Sequence, residues 1–387
     1  MEFPRLLEPP RGSFFLFGPR GSGKSTWLRK HFTGATYIDL LDERLYHSLL
    51  IDPGLLADRL RDLPRRSRVV IDEIQRLPSL LNEVHRFIEG SRLEFALSGS
   101  SARKLRRTGV NLLAGRAVRR EMYPLVPAEL GSAFDLRRVL AHGSMALIWD
   151  AGGHQDILEA YVQTYLREEI QAEALVRNLP GFARFLPVAA LFHGQVLYAA
   201  SLARDAGVSR TTVLAYLDIL QDTLLAFRLP AYEGRLRVKE KRHPKLYWID
   251  PGIVRAARRR FEPPSDEERG ALFEGWIAAL LQSYRAYRGL FEDWNYWSPT
   301  ETPALEVDFL LWRDDACVAI EAKASRRLRP EHEKGLQAFA ASYRRKKALR
   351  TIIVYLGEDR LTTERRTQVL PLRAFLDEVE GDRLFPV

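Results

Sequence analysis

The sequence predicts an α/β chain in which a parallel sheet at the N-terminal end is followed by a mostly helical middle and a second α/β part. Short apolar strands alternate with helical patterns from Ser13 to about Pro124. The pattern is mostly helical from about Ala128 to Pro251. Helices and strands mix again after the segment 258–270, whose charge and two prolines predict a linker. The predicted domains are residues 1–130, 131–260 and 261–387.

The composition is that of a globular chain with several cores, since 46% of its 387 residues are hydrophobic and 28% are charged. The N-terminal segment lacks a basic run followed by an apolar run, and no apolar stretch reaches the roughly 20 residues of a membrane span. We therefore expect a cytoplasmic protein without a membrane partner. The single cysteine, Cys317, excludes an intramolecular disulfide and a cysteine zinc site, so a metal would be bound mainly by oxygen.

The net charge of +9 suits a nucleic-acid partner, because basic side chains bind phosphate and release its counterions. A bias towards arginine that reflects only genome composition would give the same charge. Motifs must decide between the two explanations.

The first motif is a glycine-rich loop after the first of the five predicted strands, SFFLF, TYIDL, RVVID, EFALS and VRREMYPL. Glycines in GPRGSGKST let backbone N–H groups converge on phosphate, and the helix that follows adds its positive end. Lys24 supplies a charge for the terminal phosphates, and the Ser25 hydroxyl is placed to coordinate Mg²⁺. The pattern predicts a P-loop for ATP and Mg²⁺. Its binding residues are Gly18, Pro19, Arg20, Gly21, Ser22, Gly23, Lys24, Ser25 and Thr26.

A second carboxylate-bearing strand follows in RVVIDE. Asp72 is expected to hold Mg²⁺ through water, while Glu73 orients and deprotonates the attacking water. The next strand ends in hydroxyl groups, so Ser98 or Ser100 is a candidate to position that water. Serine is also a common turn residue, which leaves this role open.

Arginines that could neutralise the transition state come next. Arg116 in LLAGR and Arg103 in SSARK are the candidates for an arginine finger. A finger that acts in trans requires a homo-oligomer, for which a hexameric ring is one arrangement. The abundance of arginine in this chain means that neither residue is singled out by its type alone.

At this point the sequence resembles the bacterial and archaeal AAA-type ATPases whose core is followed by a domain of unknown function numbered 4143. The matching segments are GPRGSGKST, VVIDEIQRLP, LSGSSARKL, LLAGR, YPLVPAEL, YVQTYLREEI, KLYWIDPGI, FEGWIAALL, LEVDFLL and IEAK, which together extend over nearly the whole chain. The resemblance implies an ATPase core, a helical winged-helix middle and a nuclease-like end. Val126 and Pro127 depart from the pattern expected after YPL, but neither position is one of the predicted catalytic or binding residues.

The middle domain contains a predicted helix-turn-helix, ASLARDAGVSRTTVLAYLDILQDTLL. Gly207 permits a left-handed turn and Ser209 caps the second helix, whose start carries polar side chains. In a DNA-binding version this end enters the major groove. A winged helix that only packs or mediates contacts is the alternative. The predicted nucleic-acid contacts are Arg210, Thr211 and Thr212, with Arg235, Arg237 and Lys239 on a basic wing.

The C-terminal domain carries a cluster of charged strand residues in EVDFLLWRDDACVAIEAK. Alternation places Glu306 with Asp308 and Glu321 with Lys323, and a hairpin turn near Asp314 brings Asp308 beside Glu321. Carboxylates so placed bind Mg²⁺, which can activate water for phosphodiester cleavage.

This cluster resembles the restriction-endonuclease-like fold, which has an acidic residue on one strand and D/E-x-K on the next. The resemblance adds Glu274 as a further metal ligand and Gln337 as a polar helper, so the predicted set is Glu274, Asp308, Glu321 and Lys323. Two other interpretations stay open. The hairpin is a solvated charged surface, or the fold is kept only for binding or assembly.

The sequence therefore predicts a P-loop NTPase domain, a helical winged-helix domain and an α/β restriction-endonuclease-like domain. The leading functional hypothesis is a nucleic-acid-stimulated ATPase that remodels or moves along branched or duplex DNA. Its nuclease-like C-terminal domain is expected to bind DNA, and whether it also cuts DNA is left open. The alternatives are a nucleotide-dependent assembly switch and an ATP-gated defence nuclease.

Overall fold

The computed structural model describes residues 3–385 apart from positions 102, 104, 106–112, 114, 151–153, 166–178, 234–242, 301, 303–304 and 344–347. The chain divides into two units. The first comprises Met1–Leu125, Met145–Asp150 and Asp218–Leu225. The second comprises Val126–Ser144, Ala151–Leu217 and Ala226–Val387.

The first unit is built on a parallel five-stranded sheet in the order β2-β3-β4-β1-β5. Four strands agree with the predicted ones to within one residue, whereas the fifth, predicted as VRREMYPL, ends at Glu121. Because they are parallel, their carboxyl ends meet at one edge, where ligands bind in such sheets. The strands are β1 (Ser13–Phe17), β2 (Thr36–Asp39), β3 (Arg68–Asp72), β4 (Glu94–Gly99) and β5 (Ala117–Glu121).

Helices follow the strands, as a parallel sheet requires. Buried side chains of the sheet, among them Phe15, Ile71 and Leu97, form one core with Leu81 and Val84 of the helical layer. The helices are α1 (Lys24–His31), α2 (Glu43–Ile51), α3 (Leu55–Leu60) and α4 (Leu80–Gly90), with a 3₁₀ turn at Ile74–Arg76.

The helical middle contains α5 (Pro127–Leu130), α6 (Leu136–His142), α7 (Ala146–Trp149), α8 (His154–Ala160) and α9 (Leu179–Leu191), with a 3₁₀ turn at Gly131–Ala133 and a π turn at Tyr161–Tyr165. The short α7 belongs to the first unit, although the sequence assigned that stretch to the middle domain. Its position matters for the nucleotide site described below.

The predicted helix-turn-helix is present. α10 (Ala199–Ala206) ends at Gly207, which has a φ of 63°, and α11 (Arg210–Asp222) follows. Short antiparallel strands accompany it in the order β6-β8-β7, which gives the second unit a winged-helix arrangement. The strands are β6 (Gln195–Val196), β7 (Ala226–Leu229) and β8 (Lys245–Trp248), and α12 (Pro251–Ala257) comes next.

The C-terminal part of the second unit is a six-stranded sheet in the order β13-β14-β12-β11-β10-β9. β9, β10 and β11 are antiparallel, whereas β11, β12 and β14 are parallel. The strands are β9 (Asp293–Trp297), β10 (Val307–Arg313), β11 (Ala316–Lys323), β12 (Ala348–Tyr355), β13 (Leu361–Thr362) and β14 (Gln368–Pro371). The helices are α13 (Asp266–Arg288), α14 (Lys334–Ser342) and α15 (Leu372–Glu380), with a 3₁₀ turn at Pro330–Glu333.

The predicted α/β class is confirmed, but the segment 258–270 is not the linker that its charge and prolines suggested. α13 begins within it, because the Ser265 hydroxyl accepts a hydrogen bond from the Glu268 N–H at 3.2 Å and three acidic residues occupy the first turn. The domain boundaries at 130 and 260 stay predictions. Among the described residues, no helix combines the length and apolar character that crossing a bilayer demands.

A buried histidine joins α9 to the winged-helix strands. His193 is 4% exposed, and its Nδ1 accepts a hydrogen bond from the Trp248 backbone N–H at 3.1 Å. Its Nε2 has no hydrogen-bond partner among the described residues, and a Cβ on Gly275 would lie only 1.9 Å from it. Burial, with a further contribution from the charge of Arg258, lowers the pKa of His193 to about 3.

We expect His193 to make the second unit sensitive to mild acid. The unfolded chain takes up a proton near pH 6.5 and the folded chain only near pH 3, so stability falls as pH drops through that window. At pH 5.5 the loss relative to neutral pH is about 1 kcal/mol. Urea unfolding at pH 7.5 and 5.5 measures it, with His193→Gln as the comparison. An equal pH dependence in both proteins would exclude His193 as the cause.

Candidate functional site

The loop between β1 and α1 has the backbone shape of a phosphate-binding loop. Gly21 and Gly23 have φ angles of 77° and 95°, in the left-handed region that favours glycine. At Gly18 a Cβ would lie 2.5 Å from the carbonyl oxygen of Met122, so a larger residue is excluded there. α1 begins at Lys24, directly after the loop, and contributes the positive end of its dipole. The loop geometry fits the phosphates of a nucleotide.

Lys24 lies folded onto this loop. Its side chain is buried, and its Nζ donates hydrogen bonds to the carbonyl oxygens of Gly18 at 2.7 Å and Pro19 at 3.2 Å. The buried Ser22 hydroxyl has no partner among the described residues. The ammonium group is therefore inside the loop that phosphates would occupy. The other predicted residues, Arg20, Ser25 and Thr26, lie in the loop and in the first turn of α1.

Asp72 is the last residue of β3. This strand pairs with β4, which in turn pairs with β1, the strand that precedes the P-loop. Asp72 is 1% exposed, and the Tyr37 hydroxyl donates to its Oδ2 at 2.6 Å. The Ser98 hydroxyl donates to its Oδ1, so Ser98, which the sequence made a candidate for positioning water, contacts the carboxylate of Asp72. These two bonds fix the orientation of the carboxylate. Burial raises the pKa of Tyr37, and its hydrogen bond to Asp72 raises it further.

Glu73 follows in a backbone conformation that is unusual for its residue type. Its φ is 60°, in the left-handed region, which costs a non-glycine residue roughly 1–2 kcal/mol. The side-chain amide of Gln75 donates to the Glu73 carboxylate and, at 3.2 Å, to the Ser100 hydroxyl. A Cβ on Gly99 would lie 2.4 Å from the Gln75 Oε1, so β4 closes over this amide. Gln75 was not predicted from the sequence, where its signal is a polar residue two positions after Glu73.

A cavity of about 460 Å³ opens beside the P-loop. Its size is within the range of small-ligand pockets. Phe3, Leu125 and Leu147 supply apolar lining, while Gly21 and Thr26 supply the loop and helix side. The Leu147 N–H, at the start of α7, donates to the Gly21 carbonyl at 3.0 Å. This pocket was not predictable from the sequence, because Leu147 lies more than a hundred residues after the loop that it contacts.

The two arginine-finger candidates contact carboxylates of the first unit. Arg116 Nε donates to Glu89 on α4, and this contact lowers the pKa of Glu89. Arg103 forms an ion pair with Asp222 at 3.0 Å. A finger role would require either side chain to leave this partner, so both roles stay predictions.

The start of α11 presents the side chains that were predicted to meet DNA. Arg210 and Thr211 are exposed, and Thr212 is half-buried. The Ser209 hydroxyl accepts from the Thr212 N–H at 3.1 Å, as expected of a helix cap. The wing residues Arg235, Arg237 and Lys239 lie outside the described residues.

The hairpin of β10 and β11 brings the predicted carboxylates together. The register pairs Phe309 with Ile320, so Asp308 and Glu321 are opposite each other. Both are buried, and the Asp308 Oδ2 accepts from the Ala322 N–H at 2.9 Å. Lys323 forms an ion pair with the Glu321 Oε1 at 2.5 Å, whereas the buried Glu321 Oε2 has no hydrogen-bond partner among the described residues.

A lysine that was not predicted from the sequence lies in this centre. Lys245, the first residue of β8, is 2% exposed, and its Nζ lies 2.9 Å from the Glu274 Oε1 and 3.7 Å from the Asp308 Oδ1. It also contacts Glu306, and the Tyr247 hydroxyl donates to the Glu274 Oε1 at 2.6 Å. The carboxylates are therefore bridged by an ammonium group from the winged-helix sheet.

The pKa shifts reflect this crowding of charge. Burial raises the pKa of Asp308, and the charge of Glu274 adds to the effect. Burial also raises the pKa of Glu321 well above its ordinary value, with Asp308 adding to it. Burial acts to lower the pKa of Lys245, but the surrounding carboxylates outweigh it and hold that pKa well above its ordinary value. The cluster is a coupled set of charges rather than a row of independent groups.

The donor set fits a divalent cation. Single carboxylate oxygens of Glu274, Glu306 and Asp308 all lie within 4.8 Å of one another, and Mg²⁺ prefers oxygen ligands. The Nζ of Lys245 contacts the same three residues, so lysine and metal would compete for them. The orphaned Glu321 Oε2 remains as a further oxygen. Gln337, the predicted helper, donates instead to Glu333 at 2.8 Å and Thr367 at 3.1 Å.

Comparison with protein families divides the chain in three. Residues 11–131 match an AAA domain. Residues 133–263 match a domain of unknown function, DUF8612, and residues 269–375 match another, DUF4143. An AAA domain is a nucleotide-binding ATPase domain in general, which agrees with the P-loop, Asp72 and Glu73.

Among curated proteins, the chain is similar to two that are themselves uncharacterized. Rv2008c of Mycobacterium tuberculosis and Mb2031c of Mycobacterium bovis are each 26% identical to it over 301 residues. The match covers 76% of this chain and 66% of the length of each relative.

Two solved structures show weak similarity. The replication initiator DnaA bound to AMPPCP and single-stranded DNA matches at 15% identity and a TM-score of 0.27, over 56% of this chain and 83% of that one. Protein VC1899 from Vibrio cholerae matches at 12% identity and a TM-score of 0.23, over 96% of both chains. At these TM-scores neither structure establishes a shared overall fold.

The domain matches agree with the residues that they contain. The AAA domain holds the P-loop and the acidic end of β3, and DUF4143 holds the hairpin of Asp308 and Glu321. The chain therefore carries a match to an AAA domain at residues 11–131 and a match to DUF4143 at residues 269–375, the two domains that the sequence resemblance implied.

Proposed function

We propose that this chain is a magnesium-dependent ATP hydrolase whose turnover is coupled to remodelling of, or movement along, DNA. The observation that carries the proposal is the arrangement at the edge of the first sheet. Asp72 is fixed by Tyr37 and Ser98, and Glu73 is tethered by Gln75, at the carboxyl end of the strand two places from the P-loop strand. A fixed metal-binding carboxylate beside a candidate base is what hydrolysis requires.

The residues of this chain would divide the work as follows. The P-loop amides and Lys24 hold the terminal phosphates, and the Ser25 hydroxyl and Asp72 hold the metal. Mg²⁺, when bound with ATP, supplies neutralisation of the phosphate charge. Glu73 accepts the proton of the attacking water, and Gln75 restricts where that carboxylate points. An arginine from a neighbouring subunit, with Arg116 as the candidate, would complete the site in a homo-oligomer, such as a hexameric ring.

Contact with DNA is assigned to the start of α11. The exposed Arg210 and Thr211 precede a buried stripe of α11 that includes Val213 and Leu217, so the helix is anchored on one side and presents its polar start on the other. That is the geometry with which a recognition helix enters the major groove.

The test of this function is the ATPase rate on added duplex and four-way-junction DNA. We expect the DNA-dependent increase in rate to weaken steeply with salt, because phosphate contacts release counterions. Arg210→Glu should reduce that increase by about tenfold, whereas Arg59→Glu, an exposed arginine of α3, should retain it. A rate that is flat across DNA and salt would reject the coupling and favour a nucleotide-dependent assembly switch.

A second candidate function is metal-dependent cleavage of the DNA by the C-terminal domain. It is favoured by the buried, unpartnered Glu321 Oε2 opposite Asp308, with Lys323 beside it. In this role the carboxylates would hold the metal, and Lys323 would contact the phosphate or relay a proton. Retention of the fold for binding only is the competing account. Exchange of the Lys245 ammonium for a metal ion is the first requirement of cleavage.

A further inference from the structure

A cleft of about 1900 Å³ lies within the second unit. One wall is the carboxyl edge of three parallel strands, since the cleft is lined by the residues that directly follow β11, β12 and β14: Ala324–Arg326, Leu356–Glu358 and Leu372–Arg373. Residues of α6 and part of the segment 261–269 also line the cleft. The carboxyl edge of parallel strands is where open α/β sheets bind ligands.

The lining of this cleft is strongly basic. Among the residues that the structure describes, six arginines line it: Arg137, Arg138, Arg269, Arg326, Arg329 and Arg373. Three histidines accompany them, His142, His154 and His332, against only three acidic residues, Asp135, Asp266 and Glu358. Cations from several separate elements are thus gathered around one space, which marks a site for a polyanion.

Part of this charge is not used inside the protein. Within the described part of the chain, Arg137, Arg326 and Arg373 form no ion pair with a carboxylate, and all three are exposed. Arg269 pairs with Asp266 at 3.0 Å and Arg329 with Glu331 at 3.7 Å. The three unpaired arginines are available to phosphate without the loss of an internal partner.

The histidines report the same excess of positive charge. Burial lowers the pKa of His142, and His154, Arg255 and Arg138 lower it further. Burial likewise lowers the pKa of His332, followed by the charge of Lys323. A bound anion would oppose these effects, so the potential in the cleft favours negative ligands.

The size and lining select among anions. The volume exceeds the roughly 300–1,000 Å³ of small-ligand pockets, so a polymer segment fits better than one nucleotide. Phe134 and Phe261 also line the cleft. Aromatic side chains in a basic groove are the means by which single strands are bound, with bases stacked and phosphates paired.

We propose that this cleft binds a single strand of nucleic acid through Arg137, Arg326 and Arg373. The proposal rests on the proposed nucleic-acid function and adds a second contact surface to it, distinct from the start of α11. Ala324, which lines the cleft, directly follows Lys323 at the end of β11, whereas Asp308 and Glu321 do not line the cleft.

The experiment is fluorescence anisotropy of labelled oligonucleotides with the full-length chain, carried out over a range of salt concentrations. The test variant is Arg137→Gln, Arg326→Gln and Arg373→Gln combined. The control, Arg44→Gln, Arg59→Gln and Arg65→Gln, removes the same charge from exposed positions of the first unit. Thermal unfolding of both variants checks that they fold. Probes of dT₂, dT₁₂ and U₁₂ separate strand length and sugar type.

We expect the test variant to bind dT₁₂ about tenfold more weakly, and the slope of log affinity against log salt to fall by about 2, at about 0.7 for each lost phosphate contact. The control should change neither quantity by as much. Equal binding by the test variant and the control would reject strand binding in the cleft, while the proposed contact at the start of α11 would still stand. If the affinity does not rise from dT₂ to dT₁₂, the ligand of the cleft is a small phosphate compound and not a nucleic-acid strand. If the unmodified chain binds no oligonucleotide and no duplex at low salt, the proposed function itself fails.

Discussion

Replacing Glu73 by glutamine is expected to lower ATP turnover by about 10²–10⁴-fold while leaving nucleotide binding intact. The amide cannot accept the proton of the attacking water, so the chemical step is lost. Binding depends on the P-loop and Lys24, which the substitution does not touch. Glutamine has the same shape and meets the same φ of 60°, so the backbone cost is unchanged. Its carbonyl oxygen can still accept from Gln75, as the carboxylate does.

Phosphate release measures turnover, and titration with a fluorescent ATP analogue measures binding. The matched control is Glu83→Gln, which removes a carboxylate of the same unit that pairs with Arg86 on α4. That variant should hydrolyse ATP at the wild-type rate. Hydrolysis by Glu73→Gln at the rate of the control would remove Glu73 from the mechanism. Loss of binding together with turnover would instead point to a structural role for the contact with Gln75.

The parts of the molecule that the sequence predicted are those whose signal is local. The P-loop needs residues 18–26 and the acidic pair needs 72–73, and each motif is short enough to be read in one strand and its turn. Asp308 and Glu321 are further apart, but the hairpin turn and the two-residue period of strands place them opposite each other. The helix-turn-helix was predictable for the same reason, because its glycine turn and buried stripe are contiguous.

The parts that it did not predict depend on contacts between distant segments. Lys245 lies 61 positions before Glu306, and in KLYW it has the pattern of an ordinary strand-flanking lysine. Leu147 contacts the P-loop from a segment that its helical pattern assigned elsewhere. Arginine is so common in this chain that the six of the cleft could not be separated from the rest without their positions. Local propensity carries no information on such pairings, because tertiary packing decides them.

Replacing Lys245 by methionine is expected to destabilise the second unit by about 3–5 kcal/mol, because it leaves buried carboxylates without their counter-ion. For a unit of this size the midpoint of thermal unfolding should fall by roughly 6–20 °C. The side chain is 2% exposed and contacts Glu274, Glu306 and Asp308, so solvent cannot replace it. Methionine keeps the length and apolar stem of lysine and removes only the charge. Lys334→Met, at an exposed position of α14, is the control and should unfold like the wild type.

Divalent cations decide what the centre is. One possibility is that its carboxylate oxygens form a metal site in which the Lys245 ammonium takes the place of the metal. In that case Mn²⁺ or Mg²⁺ should restore much of the stability of Lys245→Met, and EDTA should abolish this gain. The stability of the wild type should then change little with either addition. A metal that binds the folded protein and not the unfolded chain stabilises the folded state more strongly as its affinity rises. The shift of the thermal unfolding midpoint with metal concentration therefore gives that affinity. Nicking of plasmid DNA by the metal-loaded variant, lost when Asp308→Ala is added, would then assign cutting to this centre. A variant as stable as the wild type in EDTA would show that Lys245 is not the counter-ion. A variant that is destabilised but insensitive to metal would leave the centre as an ionic contact that fastens β8 of the winged helix to β10 and α13.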